Sequence, residues 1–146
     1  MENISNRMQL KFDAKSVNES FARMVVMAFM ADMNPTIDEL EDVKTAVSEA
    51  VTNAIIHGYN DESKQVGLVC VREGQKLTVI VEDQGAGIPD VEEARQPFYT
   101  TKPEQERSGM GFAFMEAFMD EIQVESVLGE GTCVTMTKYI ARDCDR

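Results

Sequence analysis

The stretch Glu49-Ala50-Val51-Thr52-Asn53-Ala54-Ile55-Ile56-His57-Gly58 decides how the rest of the chain is read. It closes a run that opens on Thr36-Ile37-Asp38-Glu39, a capping box with threonine at the N-cap and glutamate at N3. From there Ile37, Leu40, Val43, Val47, Ala50, Val51, Ala54 and Ile55 recur with helical period. They predict a long helix with one buried stripe, ended by Gly58 as C-cap. Glu49 and Asn53 share a face of that helix and interrupt an apolar neighbourhood. Polar side chains so placed need partners or a purpose. The carboxylate can take a proton, and the amide oxygen suits a hard cation that prefers oxygen ligands. Alone, a Glu-x-x-x-Asn pattern is better read as the exposed flank of an amphipathic helix.

Working outward, Met8, Leu10 and Phe12 alternate with Arg7, Gln9 and Lys11 and predict a first strand. Ser16-Val17-Asn18-Glu19 reads as a second capping box, opening a helix to about Asp32 that Asn34-Pro35 stops. This helix carries Phe21, Met24, Val25, Val26, Met27, Ala28, Phe29 and Met30, more apolar surface than one stripe requires. Deep burial and a protein interface both fit, and Arg23 stands out as a contact to a partner. Val66 to Val71 and Leu77 to Glu82 predict a hairpin across Glu73-Gly74-Gln75. A Gly/Pro-punctuated stretch from Asp83 to Ser108 follows, and a loop of that length in a compact domain is usually functional. Gly109 to about Asp120 reads as a helix, and Ile122 to Val127 with Thr132 to Ile140 as a last hairpin. The polar tail from Ala141 is expected to fray. The order β-α-α-β-β-loop-α-β-β predicts an α+β two-layer sandwich: one mostly antiparallel, mixed sheet with helices on one face, forming a single domain over 1–146.

Bulk properties narrow the partners. With 146 residues the chain can bury a real core, and 43% hydrophobic with 27% charged residues is a globular composition. No apolar run approaches the roughly 18 residues of a membrane span, and Met1 to Lys11 has no secretory pattern, so a cytoplasmic protein is expected. A net charge of −12 disfavours direct nucleic-acid binding. A basic protein partner fits it, as does solubility alone. Cys70, Cys133 and Cys144 are widely spaced beside a single histidine, so structural zinc is not expected. Cys70 and Cys133 read as small core hydrophobes.

Three later elements give Glu49 and Asn53 their context. Asp83-Gln84-Gly85-Ala86-Gly87 follows a strand directly. The aspartate can accept from an exocyclic amine such as that of adenine, and the glycines let a flat base approach backbone. Without the rest it would be a glycine-rich turn. Thr100-Thr101-Lys102 precedes Arg107-Ser108-Gly109-Met110-Gly111, where a helix begins. Free amides and the helix dipole there suit phosphate, with Lys102 and Arg107 the nearest cations. A solvated loop is the plain alternative. Gly129-Glu130-Gly131-Thr132 is a tight turn that needs no ligand to explain it.

In this order the four elements resemble the Bergerat-fold ATP-binding superfamily of gyrase, MutL and histidine kinases. Glu49 and Asn53 match its N box, Asp83 to Gly87 its first glycine box, Gly109-Met110-Gly111 its second and Gly131-Thr132 its third. Within it, Glu49 to Tyr59 and Pro97 to Phe112 are similar to the anti-sigma-factor serine kinases, the sigma F type of spore-forming bacilli in particular.

The resemblance implies Glu49 as general base, Asn53 as ligand to the Mg²⁺ of Mg-ATP, Asp83 on the adenine amine, and Gly85 and Gly87 beside the base. It implies a mobile ATP lid from about Val91 to Ser108, with Thr100, Thr101, Lys102, Arg107, Ser108, Gly109, Met110, Gly111 and Thr132 around the nucleotide. It further implies a homodimer that binds a sigma factor and phosphorylates an anti-anti-sigma protein on serine. The commoner second box has glycine where Arg107 stands, so lid geometry transfers less directly. His57, in the last turn of its helix, reads as a structural cap rather than a phosphorylated residue. No dimerisation helices with a substrate histidine are present, which argues against a histidine kinase.

Two other functions compete. A nucleotide-gated binding module without catalysis would not need Glu49. A clamp ATPase would call for a transducer domain after Arg146, and its nucleic-acid partners suit the net charge of −12 poorly.

Overall fold

The computed structural model describes residues 4–58, 64–85, 111–127 and 129–141. In chain order these form β1 (Ser5–Asp13), α1 (Val17–Met30), a 3-10 turn (Ala31–Met33), α2 (Ile37–Asn53) and a π turn (Ala54–Gly58). There follow β2 (Gln65–Glu73), β3 (Lys76–Asp83), α3 (Gly111–Phe118), β4 (Glu121–Val127) and β5 (Gly131–Tyr139). The strands make one sheet in the order β1-β2-β3-β5-β4. Among the described residues all four pairings are antiparallel, so the sheet there is antiparallel throughout where a mostly antiparallel, mixed one was expected. Hairpins β2–β3 and β4–β5 and the return of β5 beside β3 leave no parallel neighbours among the described strands.

Strand alternation sorts the sheet into two faces. Val66, Leu68 and Cys70 on β2, Leu77, Val79 and Val81 on β3, and Val134 and Met136 on β5 are buried in one cluster with Ala22, Val26 and Met30 of α1 and Val43, Val47, Ala50 and Val51 of α2. Each large aliphatic side chain buried in this way contributes about 1.5–3 kcal/mol, so the helix-facing side of the sheet carries the core. The opposite side presents Thr78, Ile80 and Glu82 among others. Cys133 falls on that opposite phase, half-buried, and so is not the core residue expected; Cys70 is.

Helix α2 forms as read. Thr36 is extended at the N-cap and accepts from the amide of Glu39, whose carboxylate accepts from Thr36 N–H in return. Ile37, at the first helical position, is exposed instead of joining the buried stripe. The α-helical ladder ends at Asn53 and widens into the π turn, so Gly58 closes a π turn and not an α-helix. The other expected capping box does not form. Ser16 is already helical (φ −56°, ψ −33°), which turns its hydroxyl away from the N3 amide. Glu19 reaches across to α2 instead, where Ser48 Oγ donates to its Oε1 at 2.7 Å. Among the described residues no helix is long and apolar enough to cross a membrane.

A basic side chain in the core phase and a backbone amide tie the sheet to the helices. Lys138 Nζ donates to the Phe118 carbonyl at 2.7 Å, capping α3, and pairs with Asp42 of α2 at 3.2 Å. The amide of Ala141 donates to Glu39 Oε2 at 3.0 Å. The start of α2 therefore lies over the end of β5, and the two run in opposite directions. From Asp42 to Asn53 the helix advances about 16 Å, at 1.5 Å per residue. From Lys138 back to Thr132 the strand spans about 20 Å, at 3.3 Å per residue. The lengths bring the end of α2 to the Asp83–Thr132 end of the sheet, and the π turn packs on β3 and β5.

Candidate functional site

At that end of the sheet, three neighbouring strands each put a polar residue into the apolar phase. Asp83 continues Leu77, Val79 and Val81; Thr132 precedes Val134 and Met136; Ser126 follows Ile122 and Val124. Asp83 stands opposite Thr132, and Thr132 opposite Ser126, so the three form one row.

Asp83 is buried, and its Oδ1 accepts from the Gly85 amide at 2.9 Å. The Thr132 amide is a second donor to this carboxylate. Burial pushes the Asp83 carboxyl above the usual carboxylate range, and these two amides pull against it. A carboxylate offers about four acceptor positions, so acceptor capacity remains after two amides. Gly131 makes the row compact. Its φ is +117°, and a Cβ there would run into the carbonyl oxygen of Asp83 and lie 2.7 Å from Gln84 Cα. Only glycine lets β5 close onto the Asp83 backbone at this point.

From the facing layer α2 contributes Glu49 and Asn53, both half-buried, on the flank beside Ala46, Ala50 and Val51. Gly111 is the first residue of α3. Asp83, Gly85, Thr132, Glu49 and Asn53 thus gather at one end of the two-layer sandwich. Gly87, Thr100, Thr101, Lys102, Arg107, Ser108, Gly109 and Met110 lie outside the described residues. Arg23 sits apart on α1, within 3.7 Å of Glu19 and 3.4 Å of Ser20 Oγ. Val17, Phe21 and Met24, at i, i+4 and i+7, are exposed there while Ala22, Val26 and Met30 are buried. One face of α1 thus enters the core and the other stays open.

Sequence reading missed Ser126 and the Ser48–Glu19 bond. Ser126 had a signal: it is a polar residue in the apolar phase of an alternating strand. Glu19 had none, because its local capping role looked sufficient.

The donor set fits an adenine nucleotide. A buried acceptor and a glycine-only close approach lie at the end of the sheet on which the π turn after α2 packs. Among the described residues no group of three or more His, Cys, Asp or Glu could hold a metal by itself.

Comparison with known proteins gives the chain a family. The family model of the histidine kinase-like ATPase domain matches residues 12–138. The chain is 58% identical over 138 residues to an anti-sigma F factor of Geobacillus kaustophilus, covering 94% of each chain. It is 55% identical over 142 residues to an anti-sigma F factor of a Thermoanaerobacter species, covering 95% of this chain and 97% of that one. Among solved structures, the RsbU and RsbW domains of a Mycobacterium tuberculosis protein superpose with a TM-score of 0.69 at 20% identity, over 94% of this chain and 33% of that one. The catalytic domain of the histidine kinase ThkA superposes at 0.55 and 17% identity, over 91% and 97%. At such identities the two structures speak for the fold alone.

Proposed function

This chain belongs to the histidine kinase-like ATPase family, alongside the anti-sigma F factors, and from that premise we propose that it is a cytoplasmic, dimeric anti-sigma factor and protein serine kinase. It binds a sigma factor of the sigma F type during sporulation and uses Mg-ATP to phosphorylate its anti-anti-sigma antagonist on serine. One domain over 1–146 carries both tasks. The observation that carries the catalytic reading is the half-buried Glu49, one turn before Asn53, at the end of the sandwich that holds Asp83. A module that only bound nucleotide would not need a carboxylate there.

Asp83 accepts from the adenine amine, with Gly85 and Gly87 beside the base and Thr132 next to it. Asn53 would hold Mg²⁺ through its amide oxygen, and the ion would supply charge neutralisation at the phosphates. Thr100, Thr101, Lys102, Arg107, Ser108, Gly109, Met110 and Gly111 are the residues assigned to nucleotide binding by the family resemblance. Glu49 takes the proton of the antagonist's serine hydroxyl as its oxygen bonds to the γ-phosphorus. The bond from that phosphorus to the β–γ bridging oxygen breaks, and ADP leaves. Arg23 and the open face of α1 meet the sigma factor.

Transfer of γ-labelled phosphate to a purified anti-anti-sigma protein tests this directly. Wild type should label serine. Glu49→Ala should transfer at least about 100-fold more slowly while ATP binding stays within a few-fold, the range of a lost general base. Full activity in Glu49→Ala would remove the assigned base. No transfer by a wild type that binds ATP would leave a nucleotide-gated sigma-binding module.

A further inference from the structure

Helix α1 meets α2 through Glu19, whose two carboxylate oxygens differ. Oε1 accepts from Ser48 Oγ of α2 at 2.7 Å. Oε2 is buried and has no hydrogen-bond partner among the described residues. The cation beside it is Arg23, one turn along α1, with Nε 3.7 Å away. That distance makes an ion pair and is too long for a hydrogen bond. Arg23 also reaches the Ser20 hydroxyl, at 3.4 Å. An i, i+4 pair on a helix surface is ordinarily weak, because two mobile side chains must be ordered to meet. Glu19 is not mobile in that sense. Its side chain is 12% exposed against 32% for Arg23, and the bond from Ser48 holds it from the second helix.

We infer that Glu19, anchored by Ser48, is a positioning residue for Arg23: it takes the Nε–H of the guanidinium so that the two terminal nitrogens face the sigma factor. The inference rests on the reading above in which Arg23 meets that partner. Arg23 stands at the border between Ala22 and Val26, which are buried, and Phe21 and Met24, which are exposed. A protein docked on the open face covers the Glu19–Arg23 pair and removes water from it, which strengthens the attraction. A buried acceptor without a bond is costly, so the Nε–H closes onto Glu19 Oε2. A guanidinium has five N–H donors in a fixed fork, and four of them stay available to the partner. An arginine held in this way gives up less rotamer freedom on docking than a free one. Lysine has no such fork and cannot bond inward and outward with the same geometry.

The test is the affinity of the full chain for a purified sigma factor of the sigma F type, at equal nucleotide loading. The proteins compared are wild type, Arg23→Ala, Glu19→Gln, Ser48→Ala, Ser48→Thr and the double variant Glu19→Gln with Arg23→Ala. Glutamine can still accept from Ser48 but turns an amide donor toward Arg23. Glu19→Gln should therefore weaken binding at least about tenfold, the effect of one hydrogen bond between charged groups. Ser48→Ala, which frees the carboxylate, should weaken it about threefold, the effect of ordering one side chain. Ser48→Thr, which keeps the hydroxyl, should restore wild-type affinity. In the Arg23→Ala background Glu19→Gln should cost nothing further. If Glu19 only joined α1 to α2, the loss would be equal in both backgrounds, and that result overturns the inference. Wild-type affinity in Glu19→Gln, with Arg23→Ala binding poorly, also overturns it and leaves Arg23 a partner contact. Undiminished binding by Arg23→Ala overturns the partner reading, and this inference falls with it. By NMR, the Arg23 Nε–H should exchange with solvent more slowly in the wild-type complex than in the free protein, and Glu19→Gln should lose that protection. A wild-type complex without the protection overturns the inference.

Discussion

Gly131 and Asp83 are in backbone contact so close that no side chain can stand between them. At φ +117°, a Cβ on Gly131 would collide with the carbonyl oxygen of Asp83. The contact holds β5 on β3 where the Thr132 amide meets the Asp83 carboxylate. Gly131→Ala should therefore displace the turn and break that bond. A left-handed backbone alone costs a non-glycine residue about 1–2 kcal/mol, and the collision adds to it, so a loss of at least about 2 kcal/mol is expected. ATP affinity should fall at least tenfold with it. Chemical denaturation and titration on one sample check both, and an unaltered ATP affinity would show that the contact does not shape the site.

Asp83→Asn should separate binding from stability. Burial raises the Asp83 carboxyl above its ordinary value of 3.8, so the folded state holds its proton more tightly than the unfolded chain does. Stability from this group is complete below 3.8 and is lost as pH rises through the folded value. At neutral pH the ionised, buried carboxylate is a burden on the fold. The asparagine variant should match wild type near pH 4 and be the more stable of the two at pH 7, while losing ATP affinity. Nucleotide binding by wild type should weaken as pH falls through the raised value, because a protonated carboxyl accepts less well. Thermal melts of both proteins from pH 4 to 7 read the first effect. A wild type that outlasts the variant at pH 7 would refute it.

Arg72 should matter for stability and leave nucleotide affinity alone. It is buried at the far end of the same sheet face, with Nε donating to the Gly74 carbonyl at 2.9 Å and an ion pair to Asp32 at 3.2 Å. Asp32 is exposed, so the pair itself is worth little, but the bond to a backbone carbonyl is not easily replaced by water. Arg72→Met should cost about 2 kcal/mol, the range for a lost hydrogen bond from a charged group. Arg72→Lys should recover little, because a lysine lacks the planar fork. Urea titrations with ATP binding measured alongside distinguish this from a role in the site.

Arg23→Glu should weaken sigma-factor binding by tenfold or more and leave ATP affinity unchanged. The reversed charge would face the partner and also stand beside Glu19, which now lies 3.7 Å away. Arg23→Ala should have the smaller effect. Pull-down with equal nucleotide loading checks it, and undiminished binding by the glutamate variant would place the interface elsewhere.

Much of this protein was legible in its residues because local and tertiary preferences agree. The period of α2, the Thr36–Glu39 box and the two hairpins all survive folding, each fixed within a few residues by hydrogen bonding or by glycine at positive φ, as at Gly74. The Ser16–Glu19 box was legible too and was wrong. A better partner, Ser48, lies 29 residues away in sequence and was invisible to any local rule. Cys133 misled in the same way, because strand membership says nothing about which face a residue occupies until register is set.

By itself the sequence determined the element order, the apolar stripe of α2, the acidic surface and the motifs that mark an ATP-binding family. These are properties of spacing, and spacing along a helix or strand is local physics. Tertiary structure decided what those motifs meet. It laid α2 antiparallel to β5, so that Asn53 and Asp83 arrive at one end of the sheet although 30 residues separate them. It left Val17, Phe21 and Met24 open on α1, and it placed Ser126 against Thr132. Those outcomes depend on strand register and on which helix covers which strand. Both are set by the collective burial of a core shared between distant segments, which no local pattern encodes.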